Sequence, residues 1–304
     1  TYNQNKIKPF YAIKIFEKGK ELDPDGKNTI HLSLGEPSDP LPDELLKEVG
    51  KKLLNYKIGY TESIGMLELR KALAKHYLSR YKININVDQI AITSGASASI
   101  LLSLMSSFKQ GDTIAVISPG YPCYVNILKA LNLNIHNIQT NIEDNYNINL
   151  SDIENIPKFV KGIILASPSN PTGAMIELSH LKEISRICMS KKILIISDEI
   201  YQGISYQNNL KEVSLLSINH KGVVINSFSK YFLMTGWRLG WVISNKEHIK
   251  EISKLAMNLY LSPSSISQFT ALEVFKYYEY FDNVVNEYKR KRNLLKTELV
   301  KIGL

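Results

Sequence analysis

The chain has 304 residues, of which 44% are hydrophobic and 22% are charged, and its formal net charge is +8. At about 100–200 residues per domain, this length predicts one large domain with a satellite, or two domains. The composition excludes disordered and collagen-like proteins, and no apolar run approaches the roughly 18–20 residues of a membrane span, so we expect no membrane partner.

The excess positive charge does not predict a nucleic-acid-binding protein. It comes from 31 lysines and only 6 arginines, which are scattered along the chain, whereas proteins that read nucleic acids cluster arginine. The two cysteines, Cys123 and Cys188, share no C-x-x-C spacing, so neither a disulfide framework nor a metal site is predicted and both thiols are expected to be buried. The residues that follow Thr1 show no signal-peptide pattern, and we expect a cytoplasmic protein.

Short runs rich in β-branched residues predict strands, and they alternate with helical patterns. In chain order the strand candidates are IHLSL (30–34), IAIT (90–93), IAVIS (114–118), IILAS (163–167), ILIIS (193–197), VVINS (223–227) and GWVIS (240–244). Helical spacing of apolar residues occurs in 66–78, 98–108, 178–189 and from about 265 to 304. This alternation predicts an α/β fold with a mostly parallel central sheet and helices on both faces.

Polar or glycine-containing clusters follow six of the predicted strands. They are residues 35–37, 94–97, 119–122, 168–173, 198–201 and 228–230. Ligands of open α/β sheets bind outside the carboxyl ends of the strands, so these clusters predict a single small-molecule site.

The segment with Gly95, Ala96 and Ser97 joins a predicted strand to a predicted helix. Successive backbone N–H groups and the helix dipole at such a junction suit an anion, and a phosphate best. Ordinary capping of the helix explains the same residues equally well. The segment is neither a Walker loop nor a G-x-G-x-x-G dinucleotide fingerprint.

Three charged residues at or after strand ends suggest the chemistry. Lys230 is placed to have a lowered pKa and to attack a carbonyl as a Schiff-base amine, and the planar fork of Arg238 suits a phosphate. Asp198, at the end of a buried strand, needs a cationic partner, such as a pyridinium N–H, or hydrogen bonds to remain charged. Capping of a following helix is the alternative. The ordinary alternative for Lys230 is a solvated lysine on the surface, and for Arg238 it is an ion pair on the surface.

In order and spacing, several segments resemble the class I/II aminotransferases, which are fold-type I enzymes that use pyridoxal 5′-phosphate. The segments are SGAS (94–97), SPSNPTG (167–173), DEIY (198–201), SFSK (227–230) and TGWRLGW (235–241). The resemblance runs from about Gly35 to Trp241 and implies the transfer of an amino group between an amino acid and a 2-oxo acid by a ping-pong mechanism. Lyases of the same fold share the cofactor residues, so a cysteine-S-conjugate β-lyase or an enzyme similar to aminocyclopropane-carboxylate synthase is the alternative.

The resemblance implies a role for each matching residue. Lys230 resembles the lysine that holds the cofactor as a Schiff base and then moves the substrate proton, and Asp198 resembles the partner of the pyridine nitrogen. Tyr201 and Asn170 resemble donors to the phenolate oxygen, and Tyr121 resembles the ring stacked on the pyridine. The phosphate ligands implied are the backbone of Gly95 and Ala96 and the side chains of Ser97, Ser227, Ser229 and Arg238.

Further positions concern the substrate and a second subunit. Gly35 resembles the glycine beside the substrate carboxylate, and Asn170 is also expected to contact the substrate. Tyr60 resembles the tyrosine that reaches the cofactor phosphate of a partner subunit, which implies a homodimer with shared active sites. Pro168 and Pro171 are expected in a turn with a fixed backbone, in which cis peptide bonds are one option.

The sequence departs from the family pattern in two places. The family's arginine for the α-carboxylate lies beyond Leu304, so we expect a truncated chain that lacks most of its small domain. This expectation gives an N-terminal segment of the small domain (1–40), a large cofactor domain (41–275) and an incomplete small α/β domain (276–304), with a catalytically impaired cofactor-binding fragment as a further alternative. Residues 96–99 lack the lysine frequent in aspartate enzymes, which weakens an aspartate substrate and leaves alanine, branched and aromatic amino acids open.

Overall fold

The computed structural model describes residues 7–206 and 212–303. The strands in this part of the chain are β1 (Ile90–Thr93), β2 (Thr113–Ser118), β3 (Asn134–Gln139), β4 (Val160–Ala166), β5 (Leu194–Asp198), β6 (Val223–Ser227) and β7 (Gly240–Ile243). They form one sheet in the order β1-β7-β6-β5-β4-β2-β3. Only β7 is antiparallel to its neighbours, β1 and β6, so the predicted mostly parallel sheet is confirmed.

The described residues also form ten α-helices. They are α1 (Tyr11–Leu22), α2 (Asp43–Leu53), α3 (Leu67–Tyr81), α4 (Ala96–Ser107), α5 (Pro122–Ala130), α6 (Leu150–Glu154), α7 (Leu178–Ser190), α8 (Lys246–Leu259), α9 (Ser265–Val274) and α10 (Tyr278–Lys301). The predicted helix from 265 to 304 is divided into α9 and α10. Val274 and Phe281 are both fully buried, so the break lets both helices pack on the same core. Among the helices described, none combines the length and the apolar character needed to cross a membrane.

The two faces of the sheet carry separate hydrophobic cores, because successive residues of a strand point to opposite faces. In β5, Ile195 belongs to the core that contains α2, α3, α7, α9 and α10. Ile196 belongs to the core that contains α4, α5 and α8. Strands that are covered on both faces need apolar residues at every position, which explains the continuous apolar runs of the sequence.

Three features differ from the sequence prediction. Residues 30–34 do not form a strand; Ile30 and Leu32 are 86% and 90% exposed, so this run packs on neither of the two cores. The prediction lacks β3, whose residues are mostly polar because it is an edge strand with β2 as its one neighbour. Cys188 is buried as expected, but Cys123 is only half-buried.

Candidate active site

Parallel strands end beside one another at the same edge of the sheet. Ala166 at the end of β4 pairs with Asp198 at the end of β5, and Asp198 pairs with Ile225 in β6. The loops after these strands, the start of α4 and part of the N-terminal segment enclose a cavity of about 540 Å³. Most of the predicted site residues line it, namely Gly35, Ala96, Ser97, Tyr121, Asn170, Asp198, Tyr201, Ser229, Lys230 and Arg238.

The start of α4 forms one wall of the cavity. Gly95 precedes the helix with a φ of 83°, and no side chain of the described chain caps it, so the first N–H groups of the helix are available to an anion. Arg238 packs on this turn, since a Cβ added to Gly95 would lie 2.6 Å from the Arg238 Nη2. A guanidinium beside an uncapped helix N-terminus suits an anion, and a phosphate in particular.

Two serines, one at the end of β6 and one two residues later, adjoin this wall in different ways. Ser229 lines the cavity, and its backbone N–H donates to the Ser227 hydroxyl at 2.9 Å. Ser227 is only 2% exposed and its hydroxyl donates to the Leu239 carbonyl at 3.0 Å. Neither Ser227 nor Gly95 is among the described residues that line the cavity. Because the Ser227 hydroxyl is already bonded to Leu239 and Ser229, Ser227 is positioned to orient Ser229 rather than to contact a ligand directly.

Lys230 lines the cavity and is half-buried. Its Nζ donates to the Gly35 carbonyl oxygen at 2.6 Å and lies 5.8 Å from the centre of the Tyr201 ring. Burial lowers the pKa of the Lys230 ammonium; the Glu36 charge opposes this shift and the Arg238 charge adds to it. The lowered pKa increases the fraction of unprotonated amine, which is the nucleophilic form.

Asp198 lies deep in the cavity and is 4% exposed. Its Oδ1 accepts from the Ile200 backbone N–H at 3.1 Å, and its Oδ2 accepts from the Tyr124 hydroxyl at 2.5 Å. Burial raises the pKa of the Asp198 carboxyl, while these two donors lower it. The residues after Asp198 form a turn rather than a helix, so its capping of a helix is not observed.

Polar and aromatic groups form the rest of the lining. The Asn170 amide donates to the Tyr201 hydroxyl at 3.2 Å, which places both predicted donors side by side. The Tyr121 ring is in edge contact with Phe10 and Tyr124, with ring centres 5.8 and 5.4 Å apart. The Ser167-Pro168 and Asn170-Pro171 peptide bonds beside this wall are cis.

Several described lining residues have no role in the sequence prediction, among them Phe10, Glu36, Tyr124 and Thr235. Tyr124 lies one helical turn after Tyr121 in the same PGYPCY segment, a spacing that could have revealed it. The Thr235 hydroxyl donates to Glu36 at 2.8 Å, and Glu36 directly follows the predicted Gly35. No pattern in the sequence links Phe10 to the distant Tyr121.

Tyr60 lies apart from the other predicted residues. Its side chain is 85% exposed, and it is not one of the described residues that line the cavity of its own chain. The neighbouring Thr61 is held by its backbone N–H, which donates to the Ser262 hydroxyl at 3.3 Å.

Comparison with known proteins identifies the family. The family model for class I and II aminotransferases matches residues 27–304. The valine–pyruvate aminotransferase of Mycobacterium tuberculosis is 33% identical over 300 residues, covering 98% of this chain and 77% of the relative. The (5-formylfuran-3-yl)methyl phosphate transaminase of Methanocaldococcus jannaschii is 36% identical over 289 residues, covering 94% of this chain and 75% of the relative.

Solved structures agree with the sequence comparison. The crystal structure of an aminotransferase from Mycobacterium tuberculosis superposes with a TM-score of 0.95 at 32% identity, covering 100% of this chain and 79% of that chain. The family match extends over most of the sequence, and the relatives exceed 30% identity over nearly the whole chain. The protein therefore belongs to the class I and II aminotransferases, a family of transferase enzymes.

Proposed function

We propose that this protein moves an amino group from an amino acid to a 2-oxo acid in a ping-pong reaction, with pyridoxal 5′-phosphate joined to Lys230 as a Schiff base. The observation that carries the proposal is the half-buried Lys230 amine, which shares one cavity with an uncapped helix N-terminus and a buried carboxylate. Family membership supports it, because class I/II aminotransferases depend on this cofactor.

The donor set of the cavity suits each polar group of the cofactor. Asp198 would hold the ring nitrogen in its protonated form, and Tyr201 with Asn170 would donate to the phenolic oxygen. Tyr121, which lines the cavity, would stack on the pyridine. The proposed phosphate ligands are the backbone of Gly95 and Ala96 and the side chains of Ser97, Ser229 and Arg238, with Ser227 orienting Ser229. When bound, the cofactor supplies an electron-withdrawing ring that stabilises negative charge at the substrate Cα.

Lys230 has two proposed tasks. It binds the cofactor covalently, and once the substrate amine has displaced it, its free amine carries the proton away from the substrate Cα. A general base works best when its pKa lies near the working pH, and the burial that lowers the pKa of Lys230 acts in that direction. Gly35 and Asn170 are the proposed neighbours of the substrate.

We propose amino acids with uncharged side chains as substrates. Among the described lining residues the cations are Lys230 and Arg238, and both have roles toward the cofactor. The acidic Glu36 faces the same cavity, where it would repel a second substrate carboxylate. Phe10 adds an apolar surface against Tyr121. The relative from Mycobacterium tuberculosis is named a valine–pyruvate aminotransferase, and valine has an uncharged side chain, which supports this proposal.

A homodimer with shared sites is also proposed. The 85% exposed Tyr60 is available to reach a partner's cofactor phosphate. The proposed domain division assigns 41–275 to the cofactor domain and 1–40 and 276–304 to a smaller second domain, whose helix α10 packs on the core of the first through Phe281. Sedimentation velocity tests whether the protein is a dimer. Tyr60→Phe should weaken cofactor binding and leave the dimer intact.

Borohydride reduction tests the central assignment. We expect the reduced cofactor to be found by peptide mapping on the peptide that contains Lys230. Lys230→Ala should abolish both the modification and the transfer of amino groups. Lys250→Ala is the matched control, because Lys250 is an exposed lysine on α8 and its loss should change neither. A modified peptide elsewhere in the chain would overturn the assignment.

A panel of single amino acids tests the reaction and its substrates. With neutral amino acids we expect stoichiometric conversion of the bound cofactor to its aminated form, and with aspartate a slower conversion. Release of pyruvate with ammonia would instead identify a lyase. Faster conversion with aspartate than with valine or alanine would overturn the proposed substrate class.

A further inference from the structure

A short hydrogen bond links α5 to the end of β5. The Tyr124 hydroxyl donates to the Asp198 Oδ2 at 2.5 Å, and the two residues are 6% and 4% exposed. Burial and the nearby Asp198 charge raise the pKa of the Tyr124 phenol, so this hydroxyl keeps its proton and acts as the donor. A carboxylate that accepts an O–H bond at this distance is in a charge-assisted hydrogen bond.

This bond counters the cost of burying the Asp198 charge. Burial favours the neutral form of a carboxyl group, and hydrogen bonds to the charged form oppose that effect. Asp198 has two such donors, Tyr124 and the Ile200 backbone N–H. Of these, only the Tyr124 hydroxyl can be removed by changing a side chain, and it belongs to a different element from Asp198.

Other titratable groups lie close enough to interact with the Asp198 charge without replacing this bond. They are Tyr121, Tyr201 and Glu199, and each has its pKa raised by burial first and by Asp198 in addition. The Tyr201 hydroxyl is already bonded to Asn170, and Glu199 accepts from the Leu215 backbone N–H. Tyr124 is the side chain that bonds directly to Asp198 in the described chain.

We propose that Tyr124 is a positioning residue for the reaction, which keeps the Asp198 carboxylate ionised and fixes the direction in which its oxygen atoms face the cavity. Tyr124 thereby acts on the cofactor ring through Asp198. This inference rests on the proposed function, in which Asp198 pairs with the ring nitrogen. A weaker Asp198 charge leaves the ring less positive, and such a ring withdraws less charge from the Schiff-base nitrogen and from the substrate Cα.

The test compares two tyrosine-to-phenylalanine variants of the cofactor-loaded enzyme. Tyr124→Phe removes the hydroxyl and retains the ring. Tyr77→Phe is the matched control, because Tyr77 is 0% exposed and its hydroxyl accepts from the Trp241 Nε1 at 3.1 Å, away from Asp198. Urea unfolding measures the effect of each change on stability. The absorbance of the bound cofactor, titrated against pH, measures how strongly the ring withdraws charge, and the pH at half of the absorbance change is the absorbance midpoint.

We expect the absorbance midpoint of Tyr124→Phe to move to higher pH by roughly one unit. The rate constant of the first half-reaction should fall by about ten- to a hundredfold, the range expected for one hydrogen bond to a charged group, with little change in KM. Tyr77→Phe should lose stability without moving the midpoint. Equal midpoints in wild type and Tyr124→Phe, or equal shifts in both variants, would overturn the proposal.

A second replacement covers the case in which Tyr124→Phe does not fold. Site-specific 3-fluorotyrosine at position 124 retains the hydroxyl but makes it a stronger donor, so the absorbance midpoint should move to lower pH. A midpoint that stays in place or moves upward would contradict the proposal. If borohydride fails to fix the cofactor on Lys230 in the wild type, the proposed function fails; if it succeeds and both replacements leave the midpoint unchanged, only the role of Tyr124 fails.

Discussion

The contact between β7 and the start of α4 leaves no room for a side chain at Gly240. A Cβ at this position would lie 2.8 Å from the Ala96 nitrogen, 2.8 Å from the Gly95 carbonyl carbon and 2.9 Å from the Asn226 carbonyl oxygen. Carbon contacts are ordinarily about 3.5–4.0 Å, so Gly240→Ala requires backbone atoms to move by roughly 0.6 Å or more. No change of rotamer relieves a contact with backbone.

The expected magnitude follows from two opposing effects. Overpacking of this kind costs about 1–3 kcal/mol. The loss of backbone freedom in the unfolded chain offsets about 0.4–1 kcal/mol. We therefore expect Gly240→Ala to lower the free energy of unfolding by about 1–2 kcal/mol. The displaced atoms belong to the proposed phosphate site, so cofactor affinity should fall about tenfold as well.

Urea unfolding and equilibrium dialysis against the cofactor measure the two effects separately. Gly50→Ala is the control, because Gly50 lies within α2 and an added Cβ would meet nothing within 4 Å. That change should stabilise the protein by about 0.5–1 kcal/mol and leave cofactor affinity unchanged. If Gly240→Ala unfolds at the wild-type urea concentration, the close approach does not constrain the fold. If it is destabilised but binds cofactor as tightly as wild type, the turn before α4 is not the phosphate site.

Three further changes test the core and its buried polar groups. Burial raises the pKa of Glu199 to about 7, so the native state binds this proton more readily than the unfolded state and stability falls as pH rises from about 4.5 to 7. Glu199→Gln removes this titration. The free energy of unfolding of the variant minus that of wild type, measured with urea, should therefore be about 2 kcal/mol larger at pH 8 than at pH 5.5. The same difference at both pH values would contradict this. Gln268→Leu leaves the Met66 backbone N–H, which donates to Gln268 at 2.7 Å, without its partner, and should cost about 1–3 kcal/mol in the same assay. Phe281→Ala removes a fully buried ring 5.5 Å from Phe232 and should cost about 3–5 kcal/mol, whereas a loss below 1 kcal/mol would show that α10 contributes little to the core.

The sequence was sufficient to predict those site residues that lie at or directly after the ends of buried strands. Parallel strands that are buried on both faces produce continuous apolar runs, and the residues directly after them meet at one edge of the sheet. Asp198 and Lys230 follow such runs, and the structure brings both to one cavity. The predicted strand at 30–34 is wrong, because a β-branched run alone does not supply a partner strand.

Contacts between distant elements were not predictable in the same way. The bond from Tyr124 to Asp198 depends on how α5 is rotated against the sheet, which the spacing of apolar residues specifies only coarsely. Ser227 has the residue type of a phosphate ligand, but its hydroxyl is taken by the Leu239 carbonyl. The sequence shows which polar atoms are available; the packing decides which of them are already bonded.

The position of β1 in the sheet has a consequence for protein synthesis. β1 has β7 as its one neighbour, and Ile90 pairs with Ile243, so the strand leaves the ribosome long before its partner. The turn with Gly95 that leads into α4 is backed by Gly240 at the start of that partner. A nascent chain that ends between Lys230 and Gly240 thus contains Asp198 and Lys230 but lacks the residue that backs the proposed phosphate site. If the turn before α4 holds the cofactor phosphate as proposed, cofactor binding follows the closing of the sheet by β7 and is a late event for the nascent chain.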